Sequence, residues 1–73
     1  MAQETVEVPL TGKIISVNVK PGDEVKEGDT LCLLESMKME NPILAPVDGT
    51  VTEVNVTVEQ IVKPGEIIAI IEY

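Results

Sequence analysis

The chain has 73 residues, a formal net charge of −8 and one aromatic residue, Tyr73. That length allows one domain with a thin core, and the charge and the lack of aromatics exclude a basic face or a stacking platform for nucleic acid. With no His, no Arg and one cysteine, Cys32, there is no Ser–His–Asp or Cys–His pair, no arginine clamp, no internal disulfide and no tetrahedral zinc site.

Carboxylates, hydroxyls, one thiol and five lysines remain for chemistry, a poor endowment for an enzyme. No apolar run reaches the length of a membrane span, so direct membrane insertion is not expected. Met1-Ala2-Gln3-Glu4 lacks the basic and apolar regions of a signal peptide, and a lone free thiol fits a cytoplasmic location.

In chain order, Val6 and Val8 alternate with polar residues, as in a half-buried strand, and Thr11-Gly12 marks a turn. Ile14 to Val19 is the next strand. Its apolar positions Ile14, Val17 and Val19 skip a beat, which predicts a β-bulge near residue 15. Pro21-Gly22 and Glu27-Gly28 are turn signals around a very short strand at Val25. Thr30 to Glu35 is a nearly continuous apolar run, which suggests a strand buried on both faces.

The rest of the chain repeats this pattern. Shifted by 37 positions, Pro9 falls on Pro46, Gly12 on Gly49, Val17-Asn18-Val19 on Val54-Asn55-Val56, Val25-Lys26 on Val62-Lys63, Gly28 on Gly65 and Glu35 on Glu72. The second half inherits the first half's predictions, including a bulge near residue 52 and a strand over Ile67 to Ile71. Two copies are too few for a solenoid. They predict a single domain, 1–73, whose halves, about 6–35 and 43–72, interleave around a pseudo-two-fold axis as an all-β sandwich or barrel.

The repeat leaves out the segment that joins its halves, Ser36-Met37-Lys38-Met39-Glu40. A strand ending at Glu35 and another starting near Glu40 make this a hairpin connection with Lys38 at its tip. Two methionines there have two readings. Met37 and Met39 tuck back and cap the thin core, which composition favours because apolar side chains usually bury; or they stay out and form a recognition surface. Lys13, Lys20, Lys26 and Lys63 read as solvated surface lysines, whereas Lys38 protrudes at the junction. An exposed lysine amine can be acylated, with loss of its charge, by a partner that activates the acyl group and takes up a proton. The residues by themselves identify Lys38 as a candidate modification site.

Glu35-Ser36-Met37-Lys38-Met39-Glu40 resembles the attachment motif of biotin carboxyl carrier proteins and biotinyl domains. Pro9-Leu10-Thr11-Gly12-Lys13-Ile14 is similar to that family's opening turn, the run Val19 to Asp29 to its middle segment, and Ala45-Pro46-Val47-Asp48-Gly49 to a related turn, so the resemblance covers about Val6 to Glu72. Ser36 stands where Ala is common, and the first half has no insertion of the kind that forms a protruding thumb in some bacterial carriers. The chain therefore resembles the thumbless type of pyruvate, propionyl- and methylmalonyl-CoA carboxylases, transcarboxylases and decarboxylases. It would be a free-standing minimal carrier or an excised domain.

The resemblance implies a flattened β-barrel or sandwich of two four-stranded antiparallel sheets with quasi-two-fold symmetry. It implies biotin joined as an amide to Lys38 by a biotin protein ligase, with Met37 and Met39 read by the ligase or a docking partner. A biotin carboxylase would load a carboxyl group and a carboxyltransferase or decarboxylase subunit would unload it, the domain itself being a monomeric, non-catalytic carrier. A lipoyl carrier on the same fold, in which Asp-Lys-Ala is usual at the tip, and an unmodified β-sandwich adaptor are the alternatives.

Overall fold

The computed structural model describes residues 2–73 and contains eight strands: β1 (Gln3–Glu7), β2 (Gly12–Val17), β3 (Glu24–Val25), β4 (Thr30–Ser36), β5 (Met39–Leu44), β6 (Gly49–Val54), β7 (Ile61–Val62) and β8 (Ile67–Glu72). No helix occurs among the described residues. The β-branched content favours strands, and Gly and Pro break the chain into short ones.

The strands form two four-stranded antiparallel sheets, ordered β1-β8-β6-β3 and β5-β4-β2-β7. Moving every strand to its repeat mate (β1 to β5, β2 to β6, β3 to β7, β4 to β8) turns one order into the other. Each sheet draws strands from both halves, so the halves interleave about a pseudo-two-fold axis. The connections obey the same operation. Asn18 N–H donates to the Leu31 carbonyl and Asn55 N–H to that of Ile68, both at 2.8 Å. Gly22 N–H donates to Val51 O at 2.7 Å, and its mate Glu59 N–H to Ile14 O at 2.6 Å. The Asp23 carboxylate accepts the Lys20 N–H, and the Gln60 side-chain oxygen accepts that of Thr57, each at 3.0 Å.

The predicted bulges are present as register shifts between Ile14 and Ser16 and between Val51 and Glu53. A second pair, between Thr30 and Cys32 and beside Glu7 where β1 meets β8, has no counterpart in the sequence reading. It revises the expectation of two buried faces. The bulge turns neighbours Leu31 and Cys32 inward together, as it does Ile68 and Ala69, while Leu33 and Ile70 on the outer face are only half-buried.

The core between the sheets is also built of mates, such as Ile14 with Val51, Leu34 with Ile71, Val25 with Val62 and Val8 with Ala45. Among the described residues no polar or charged side chain is buried. Cys32 is fully buried, as is its repeat mate Ala69.

The body measures 36 × 19 × 17 Å. Ala2 and Tyr73 exchange backbone hydrogen bonds of 3.0 and 2.9 Å, and β1 leads away from them, with Gln3 opposite Glu72. It ends near Val8, shortly before Gly12, whose α-carbon lies against the backbone of Glu35 at the base of the β4–β5 turn. The turn and the chain termini therefore occupy opposite poles.

Candidate functional site

The junction is tighter than a five-residue connection. β4 continues to Ser36 and β5 starts at Met39, and these two residues pair, leaving only Met37 and Lys38 in the turn. Both have positive φ, 53° and 66°. Successive left-handed residues make the type I′ geometry, whose twist matches antiparallel strands and which Asn-Gly usually supplies. Met and Lys carry a Cβ that disfavours this region, so the turn is held against local preference.

The core-capping reading of the methionines is overturned: Met37 is 92% and Met39 67% exposed. Along the inward side of β5, Ile43 is buried, Asn41 half-buried and Met39 exposed, so the hairpin runs past the end of the core. Asn41 secures its base, donating from Nδ2 to the Met39 carbonyl at 3.3 Å and to that of Leu34 at 3.5 Å.

Lys38 is exposed at the apex. None of the side-chain hydrogen bonds among the described residues involves it. Below the turn, a row crosses the outer face of the sheet: Ile61 opposite Lys13, Lys13 opposite Glu35, Glu35 opposite Glu40. Glu35 and Glu40 are exposed, as expected of solvated hairpin charges. The sequence reading passed over Ile61. The repeat offset aligns it with Glu24, and that mismatch was the available signal.

Elsewhere there is little that could react. Among the described residues no group of three His, Cys, Asp or Glu is placed to hold a metal. Burial pushes the Cys32 thiol up to about 11, which keeps it protonated and unreactive at neutral pH. An open groove of about 400 Å³, lined by Glu24, Lys26, Asp48 and Thr50 among others, lies at the pole of the termini, away from Lys38. Among the described residues no helix is long and apolar enough to cross a membrane. A two-sheet body with the exposed Lys38 amine raised on a hairpin is the arrangement of a carrier, which presents an attached group to other proteins' active sites.

Comparison with known proteins agrees. The model of the biotin/lipoyl family, described as biotin-requiring enzyme, matches residues 4–71. The chain is 44% identical over 68 residues to a biotinylated protein (TB7.3 homolog) of Mycobacterium leprae, covering 93% of this chain and 96% of that one. It is 56% identical over 50 residues to the gamma subunit of methylmalonyl-CoA decarboxylase of Veillonella parvula, covering 68% of this chain and 39% of the relative. The crystal structure of Kluyveromyces lactis urea carboxylase contains a segment that superposes with a TM-score of 0.90 at 26% identity, covering 99% of this chain and 6% of that one. The chain thus spans nearly all of the mycobacterial relative but well under half of the other two. The chain belongs to the biotin/lipoyl family.

Proposed function

We propose that Lys38 is the residue to which biotin is attached, and that the domain carries a carboxyl group between the active sites of a biotin-dependent carboxylase complex. The observation that carries this is the exposed Lys38 amine at the apex of a strained two-residue turn. The domain is a biotin carboxyl carrier, a non-catalytic part of such a system, and biotin is its cofactor.

The residues fit the group. Acylation needs an approachable nucleophile, and nothing in the fold competes for this one. A biotin protein ligase forms the amide: the Lys38 Nζ–C bond forms, the bond from the acyl carbon to its activating group breaks, and the amine's proton passes to a base on the ligase. The attached biotin supplies a ring nitrogen that accepts and gives up a carboxyl group. The protein supplies position. The I′ turn fixes where the arm leaves, and the two-sheet body holds the surface around it rigid. Tethering raises the local concentration of the arm at each partner site to the order of mM.

Met37 and Met39 belong to the surface read by the ligase or a later partner, which favours polarisable, adaptable side chains. The loading partner is a biotin carboxylase and the unloading partner a carboxyltransferase or decarboxylase subunit. Residues 1–73 act as one monomeric carrier domain in the cytoplasm, in keeping with the acidic charge and single buried thiol.

The test is intact mass after co-expression with a biotin protein ligase, for the wild-type chain and Lys38→Arg. A biotin increment in the former and none in the latter is the expected result. No increment, a lipoyl increment, or an increment that survives the substitution overturns the assignment.

A further inference from the structure

Residues 37 positions apart occupy equivalent places in the two halves, so each half shows what the fold requires of the other. Where an exposed apolar residue has an exposed polar mate, the fold does not require an apolar side chain at that place. Ile61 is such a residue. It is 62% exposed on two-residue strand β7, and its mate on β3 is the exposed Glu24. Val58, 53% exposed, takes the place of Pro21 at the tip of the equivalent turn.

Both lie on the Lys38 side of the molecule. Ile61 pairs with Lys13, which pairs with Glu35, and two strand spacings put it about 10 Å from Glu35 at the base of the hairpin. The turn carrying Val58 is bonded to Ile14 through Glu59 N–H and Gln60 O. Together with Met37 and Met39 they give the pole that presents the amine four exposed apolar side chains, against Leu44 and Tyr73 toward the other pole. Exposed apolar groups gathered beside a functional group mark an interaction site.

We propose that Ile61 and Val58 extend the tip into the docking face for the ligase that acylates Lys38, and that the complementary ligase surface has an apolar centre and a basic rim. This rests on Lys38 being the attachment residue. Reach decides between partners. An enzyme acting on the amine must bring its reacting centre to within one lysine side chain of the turn, so its surface spreads over the adjoining strands. An enzyme acting at the far end of the attached arm can stand off by the arm's length. Charge sets the rim: Glu35, Glu40 and Glu59 are exposed around the patch, on a chain of net charge −8.

The test measures initial rates of biotin attachment by a purified biotin protein ligase on the full chain. The variants are Ile61→Glu, which copies the mate residue, Val58→Ser, and Leu44→Glu as the control. Leu44 is 47% exposed at the far end of β5, and its mate is Glu7. Ile61→Glu is expected to lower kcat/KM by about tenfold or more, through KM, and Val58→Ser by about threefold. Leu44→Glu is expected to stay within about twofold, and all three to melt near the wild-type temperature.

Wild-type rates for both Ile61→Glu and Val58→Ser, or an equal loss for Leu44→Glu, overturn the docking face while leaving the attachment residue standing. Failure of the wild-type chain to label at Lys38 overturns both. If Ile61→Glu unfolds below the assay temperature, Val58→Ser decides.

Discussion

Gly12 packs its α-carbon against the carbonyl oxygen of Glu35, and Gly49 does the same to Glu72. A β-carbon at either position would collide with backbone that cannot rotate away. Gly12→Ala and Gly49→Ala are each expected to cost about 1–3 kcal/mol, which denaturant midpoints will show. They should differ at the site. Gly12 supports the hairpin, so its variant should label more slowly at Lys38 even where both proteins are folded; Gly49→Ala, at the other pole, should not. Equal labelling rates would mean that the hairpin absorbs the displacement.

Met37 and Lys38 sit in the left-handed region at φ 53° and 66°. Asn tolerates that conformation better than Met and is preferred at the first central position of an I′ turn. Met37→Asn should therefore raise stability by about 0.5–1 kcal/mol, while its biotin attachment slows because an exposed apolar contact is gone. A fall in melting temperature would show that the turn carries no strain that Asn relieves.

Glu59 at φ 75° occupies the place that Gly22 holds in the first half at φ 98°. Glu59→Gly should stabilise the fold by about 0.5–1 kcal/mol, and Gly22→Ala should destabilise it by about 1 kcal/mol. No atom lies within 4 Å of a β-carbon built at Gly22, so that loss is conformational and not steric. Thermal melts of the two variants moving in the same direction would contradict the equivalence of the turns.

The Cys32 thiol, pushed up to about 11 by burial from an ordinary 9, makes stability fall with alkali. Below pH 9 the thiol is protonated in both the folded and unfolded states, and nothing is lost. Between pH 9 and 11 the unfolded chain releases the proton while the folded one keeps it, so unfolding is increasingly favoured. Cys32→Ala, which copies Ala69, should remove this part of the slope. The native thiol should also resist a soluble thiol reagent at pH 8 until the protein is unfolded. Rapid modification of the folded protein would show that Cys32 is accessible.

Much of this architecture was legible because the repeat doubles every signal. The skipped beat at Ile14-Val17 recurs at Val51-Val54, and both are bulges. Val25 stands alone between two turn signals, and its strand has two residues. What stayed hidden depends on distances along the core. Whether Met37 and Met39 bury depends on where the opposing layer ends relative to Asn41, and composition carries no record of that. The bulge at Leu31 was masked because an unbroken apolar run looks the same whether a strand is covered on both faces or kinked to turn two neighbours inward.

The stitch between Ala2 and Tyr73 bears on how such a domain is mounted. Whatever polypeptide is joined to either end departs from one spot, with the barrel lying between it and the amine. A linker can be lengthened, stiffened or swapped at that anchor without crowding Lys38, which stands at the far pole. The same body can thus stand nearly alone, as in the mycobacterial relative, or ride within a chain many times its length, as in the urea carboxylase.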